Sequence, residues 1–158
     1  MGKKVKAGRF RYDLEAVLKV RDIKERKEKE RFAEKQREYI KEKEEEDRIE
    51  AEREDRRDEL RGIMKKGPIS DFAKIIRRKA HLTKLKEDID KQVEKVIDAS
   101  DKLEKQRSKL IDSMKDKKII EKHKEHKLDE YKKLMQDLEI KFLDEIATER
   151  FQHEKKNE

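Results

Sequence analysis

No cysteine and no tryptophan occur in the 158 residues; proline occurs once and glycine four times. Without cysteine there is no disulfide framework and no thiolate metal site. Aromatic residues make up 5% of the chain and apolar residues 32%. An average globular domain is nearly half apolar, so a Rossmann domain, a barrel or a sandwich is excluded. No apolar run approaches the roughly 20 residues that cross a bilayer. No secretory apolar segment follows Lys3 and Lys4. Lys6 stands where a myristoylation signal needs Ser or Thr. The expected compartment is the cytoplasm.

What is present is charge: 47 Lys and Arg against 40 Asp and Glu, a net +7. Disorder is favoured by uncompensated charge with Pro, Ser and Gly. Here the signs nearly cancel, and Lys, Glu and Arg are good helix formers. Opposite charges three or four apart add about 0.2–0.5 kcal/mol per pair to a helix.

The helix breakers are Gly2, Gly8, Gly62, Gly67 and Pro68. Two uninterrupted stretches therefore flank one turn. Gly67 suits a left-handed C-terminal cap, and Pro68 cannot continue a helix. Ser70 is the expected N-cap of the second helix, with Asp71 complementing its dipole. This reads as a flexible basic segment 1–9, a first helix 10–64, a turn 65–70, a second helix 71–153 and a flexible tail 154–158. The fold class is all-α: a long two-helix antiparallel coiled coil, or helical hairpin, with the C-terminal helix overhanging.

The second helix carries one row at strict heptad spacing: Ile75, Leu82, Ile89, Val96, Leu103, Leu110, resuming at Tyr131 and Leu138. A second row runs through Phe72, Val93, Met114, Leu128, Met135 and Phe142, interrupted by Lys79, Lys86, Ser100, Arg107 and Glu121. The first helix is poorer in apolar positions, so long charged side chains must cover the seam with their stems. Folding at residues 67–68 sets Leu14 opposite roughly residue 121 if each residue rises about 1.5 Å. From Glu125 onward the second helix then lacks an internal partner, unless Arg9–Leu18 bends back over part of it. Yet Leu128, Tyr131, Leu134, Met135, Leu138, Phe142, Leu143, Ile146 and Phe151 recur there at helical spacing. An apolar stripe without an internal partner implies an external one.

No catalytic constellation is visible, so the chain is read as no enzyme. No cofactor motif is present either. His123 and His126, near Glu125 and Asp129, have the spacing of one helical face, but in so polar a helix a solvated pair is the plainer reading, and no metal is assigned. The acidic run Glu42–Asp47 reads as a solvated face. Lys65, Lys66, Arg77, Arg78 and Lys79 cluster at the turn beside Phe72, Ile75 and Ile76. Interleaved carboxylates elsewhere and the lack of a base-reading module argue against nucleic acid.

The two ends carry a resemblance. Near the start stands Phe10-x-Tyr12-x-Leu14-Glu15-x-Val17-Leu18-x-x-Arg21, and near the end Glu139-x-Lys141-x-Leu143-Asp144-Glu145-x-Ala147-x-x-Arg150-Phe151. These resemble the ends of the FliJ family of flagellar type III export proteins, with Ile140 where that family often has Gln. The resemblance implies a non-enzymatic component of the flagellar type III export apparatus. Its paired termini would enter the ring of the export ATPase FliI and promote ring assembly. Other implied partners are the export gate protein FlhA and the export chaperones. The implied location is the cytoplasmic face of the inner membrane at the flagellar base, held there through protein partners. The ring-binding set it implies is Phe10, Tyr12, Leu14, Leu18, Arg21, Lys141, Leu143, Ile146, Ala147, Arg150 and Phe151. A gate contact falls on Phe72, Ile75 and Ile76. The chain alone is expected to be a monomer. Two rival readings stay open: a structural coiled coil that self-associates through the overhang, and a basic nucleic-acid binder.

Overall fold

The computed structural model describes residues 9–68 and 71–156. Two α-helices account for nearly all of them: α1, Glu15–Lys65, and α2, Phe72–Lys156. They pack against each other as an antiparallel hairpin. Between them Gly67 takes φ 117°, a conformation that costs a side chain-bearing residue steric strain. Pro68 follows and blocks continuation. The expected cap Ser70 lies outside the described residues. Asp71 caps α2 instead: its carboxylate accepts the Lys74 N–H at 3.0 Å.

Neither helix has the bounds expected from the sequence. Helix α1 starts at Glu15 rather than residue 10. Residues 9–12 are non-helical, and the Glu15 N–H donates to the Tyr12 carbonyl at 3.3 Å in the turn that opens the helix. At the other end α2 continues to Lys156, where polar residues with no Gly or Pro follow Phe151.

By its internal contacts the chain divides into two compact units, Glu25–Asp112 and Met1–Lys24 with Ser113–Glu158. In the unit Glu25–Asp112 the core is a narrow seam. Helix α2 contributes the first row foreseen above, with Ile75 and Ile89 buried. The second row is not the expected one. It lies three residues on from the first, not four: Leu85, Gln92, Ala99 and Gln106 are buried. Phe72, by contrast, is 67% exposed. A seam closes on positions a and d, three apart and then four, and the d row here is disguised by polar and small residues.

Helix α1 answers with carboxylates. Glu25, Glu28, Glu46 and Leu60 are its buried residues. The glutamates lay their methylene stems along the seam and keep the charge at its edge. Each also has a cation from its own helix: Lys29 for Glu25, Arg31 for Glu28 at 2.8 Å, and Lys43 for Glu46 at 3.1 Å. Two glutamines of α2 clamp onto α1 in the same way. Gln92 Nε2 donates to the Glu42 carbonyl at 2.9 Å and to its carboxylate at 2.6 Å. Gln106 Nε2 donates to the Glu28 carbonyl at 3.4 Å and to its carboxylate at 2.5 Å. Glu28 and Glu42 are two heptads apart, as are Gln92 and Gln106, so the two clamps share one register.

Candidate functional site at the paired termini

The unit formed by the two chain ends is built on a strap. Residues 9–12 lie non-helical beside α2, and Tyr12 anchors them at 7% exposure. Its phenol oxygen lies 2.8 Å from His123 Nδ1 and 3.3 Å from the Ile120 carbonyl. One phenol proton cannot serve both. The hydroxyl either donates to the carbonyl and accepts from Nδ1–H, or donates to a bare Nδ1. The Tyr12 and His123 rings are 5.7 Å apart, and Lys124 Nζ stands 5.8 Å over the Tyr12 ring while pairing with Glu15 at 2.7 Å. Further out, Phe10 packs on Tyr131 with ring centroids 5.5 Å apart. The strap therefore carries pairing of the ends past Glu125, as far as Tyr131.

A second set of contacts holds α1 in place just behind the strap. Arg21 pairs with Asp116 and Lys117 with Asp22 at 2.7 Å, all four side chains partly buried. His123 is thus a structural hydrogen-bond partner. Among the described residues no group of three His, Cys, Asp or Glu side chains is placed to hold a metal. Replacing Tyr12 with Ala is expected to free residues 9–14 from α2 at a cost of about 3 kcal/mol, as for other buried aromatics. Tyr12→Phe should cost only about 0.5–1.5 kcal/mol, the lost hydrogen bond. Amide hydrogen exchange over residues 9–18 reads both directly.

The ring-binding set expected from the sequence is divided by the structure. Tyr12 and Arg21 are turned inward, and Phe10 and Leu18 are half-buried. Leu14 is exposed at its margin. On α2, Lys141, Leu143, Ala147, Arg150 and Phe151 are exposed, and Ile146 is half-buried. Leu143 and Phe151 are each 58% exposed.

The apolar side chains of this last segment do not form a single stripe. At about 100° per residue, Tyr131, Leu134, Met135, Leu138 and Phe142 share one face, which continues the first heptad row. Ile140, Leu143, Ala147 and Phe151 share a different one, and these include the apolar positions of the terminal motif. Leu134, Leu138, Ile140, Phe142 and Leu143 are all exposed. One helix end thus offers two apolar faces. The sequence periodicity concealed this, because positions three, four and seven apart were counted together.

Large apolar side chains, Leu143 and Phe151 among them, stand in solvent on α2. The chain's class is the all-α helical hairpin. No helix among the described residues is long and apolar enough to cross a membrane.

Comparison with known proteins defines the group further. The profile of the flagellar FliJ protein family matches residues 10–156. The chain belongs to the FliJ family. Among solved structures it is similar to the YscO homolog CT670 of Chlamydia trachomatis, with 26% sequence identity and a TM-score of 0.66 over 95% of this chain and 100% of the other. No curated protein sequence matches it. Family and fold together make it a component of a type III export apparatus, in a group of non-catalytic proteins.

Proposed function

We propose that the chain is the assembly and coupling factor of the export ATPase. Its paired ends occupy the ring of FliI and promote the ring's assembly. The same molecule engages the export gate protein FlhA and the export chaperones at the cytoplasmic side of the flagellar base. The observation that carries this reading is the exposed face Ile140, Leu143, Ala147 and Phe151, held on a helix that the N-terminal strap braces. An apolar face of this kind is settled by a partner's apolar surface.

Within the ring the roles divide by exposure. Leu143, Ala147 and Phe151 make contact, with Leu14 at the margin. Lys141 and Arg150 orient the approach through ion pairs, which set specificity and encounter rate more than affinity. Phe10, Tyr12, Leu18 and Arg21 keep the two ends together. At the hairpin turn, Phe72 and Ile76 are exposed and suit a gate contact. Ile75 does not: it is 6% exposed, in the seam with Leu60.

ATP hydrolysis by purified FliI from the same organism, with and without this chain, tests the proposal. Stimulation with a saturable dependence on the chain is the expected result. Neither stimulation nor binding would overturn it. The face Leu134, Leu138 and Phe142 supports a second reading, self-association through the overhang. Light scattering across a wide concentration range separates the two, because only self-association raises the mass.

A further inference from the structure

Charge is distributed unevenly along this chain. Residues 61–80 hold seven Lys and Arg against the single Asp71, a net +6, while the whole chain carries +7. These twenty residues at the hairpin turn thus hold six net positive charges, and a second basic stretch, residues 1–11, holds five. Most of the charge at the turn is uncommitted. Arg78 is bound to Glu59 at 2.9 Å, and Arg61 to Asp58 at 3.1 Å. The Arg78 and Arg56 guanidiniums hold the Glu59 carboxyl below the usual carboxylate range. Lys65, Lys66, Lys74 and Lys79 are exposed and make no ion pair with any described residue. Lys35, Arg48, Lys122 and Lys127, on other stretches, are each answered by a carboxylate three residues away. The N-terminus of α2 adds its own positive dipole end at the same place.

Apolar side chains stand among these cations. Met64 is 52% exposed, Phe72 67% and Ile76 56%. The groove beside them is lined by charged and polar residues, Arg56, Glu59, Lys74, Arg77, Arg78 and His81. That groove is no apolar hollow to receive a partner's side chain. A phospholipid surface needs none: it accepts projecting Phe and Ile side chains at the acyl boundary and gathers lysines at the headgroups.

We propose that the hairpin turn binds an anionic lipid surface, with Lys65, Lys66, Lys74 and Lys79 at the headgroups and Phe72, Ile76 and Met64 entering the interface. The contact is electrostatic first and apolar second, so it is reversible and weakened by salt. It uses none of the ring-binding residues, but it claims Phe72 and Ile76, so lipid and gate compete for the same two side chains.

Co-sedimentation of the full chain with vesicles provides the test. Vesicles of phosphatidylcholine with one-third phosphatidylglycerol are expected to carry the chain down at low salt, and pure phosphatidylcholine vesicles are not. Lys65→Glu, Lys66→Glu and Lys79→Glu together should lower the partition coefficient roughly a hundredfold, from the contribution of each surface cation. These positions are exposed, and circular dichroism will show unchanged helicity. Phe72→Ser with Ile76→Ser should cost a smaller factor and leave the salt dependence intact. The control is Lys27→Glu, Arg37→Glu and Lys41→Glu, the same change of charge on exposed positions of α1. It should hold binding within about threefold, given the short reach of screened charge. Equal loss in the control would overturn the assignment to the turn. Absence of vesicle binding, with charge-dependent capture by the soluble domain of the gate protein, would replace lipid by an acidic protein surface.

Discussion

Leu143→Asp combined with Phe151→Asp is expected to return FliI hydrolysis to its unstimulated rate while leaving the helix content of the chain almost unchanged. Burying a Leu or Phe side chain contributes roughly 1.5–3 kcal/mol. Losing both and desolvating two carboxylates in the same contact removes several kcal/mol. That is more than about a thousandfold in dissociation constant, at roughly 1.4 kcal/mol per tenfold. The folded chain hardly feels the change. Both residues are more than half exposed, and Asp costs an exposed helix position only about half a kcal/mol relative to a good helix former. Hydrolysis rate, pull-down and circular dichroism on the same preparations check it. Unchanged stimulation would remove this face from the ring contact. Leu134→Asp with Leu138→Asp, on the other face, is the companion variant. Loss of self-association in that pair alone would assign the two faces to different partners.

The second large effect is expected in the seam. Gln92→Glu with Gln106→Glu turns two donors into acceptors at 2.5–2.6 Å from existing carboxylates. Like charges at that distance in a part-buried seam destabilise by several kcal/mol, in the range of about 3–5 kcal/mol for a broken buried pair. The pH dependence follows in sign. Two carboxylates in contact share a proton, so the pair's affinity for it is raised in the folded state above that of the unfolded chain. The penalty is therefore complete at neutral pH and disappears as the pH falls through the pair's titration. Thermal melts at neutral pH should show a much lower Tm than the native chain, with the gap closing in acid. Adding Glu28→Gln restores a donor opposite residue 106 and should recover part of the loss. A native-like melt at neutral pH would show that the clamps do not hold the seam.

The hairpin was legible because it is written in the backbone's exceptions: one Gly at positive φ and one Pro between two breaker-free stretches. The row from Ile75 through Leu110 was legible for the same kind of reason, a strict apolar repeat. The row beside it was not. Gln92, Ala99, Gln106 and Ser113 do not look like core, and Phe72 and Met114 do; burial reverses both expectations. Hydropathy counts side chains one at a time, whereas a buried Gln is stable because a Glu on the other helix accepts from it. Glu25, Glu28 and Glu46 were hidden in the same way. The strap was misread as helix because Phe10 and Tyr12 are compatible with either conformation; contacts with His123 and Tyr131, more than a hundred residues away, decide it. Ile75 could have been placed from sequence alone, since it opens the first row and so belonged to the core rather than to the surface. At the terminal surface the composition was legible, and its partition into two faces was not.

The twin clamps have a mechanical consequence. A two-stranded seam made only of leucines can creep by one repeat under load, since every layer resembles the next. In the unit Glu25–Asp112 it cannot do so freely. A slip of one heptad in one direction sets Gln92 against Ile49 and Gln106 against Lys35; the opposite slip sets Gln92 against Lys35. Either way a carboxylate in the seam loses its donor. Shear applied to one helix is therefore passed to the other rather than dissipated by sliding, and this stretch of the hairpin acts as a stiff lever arm.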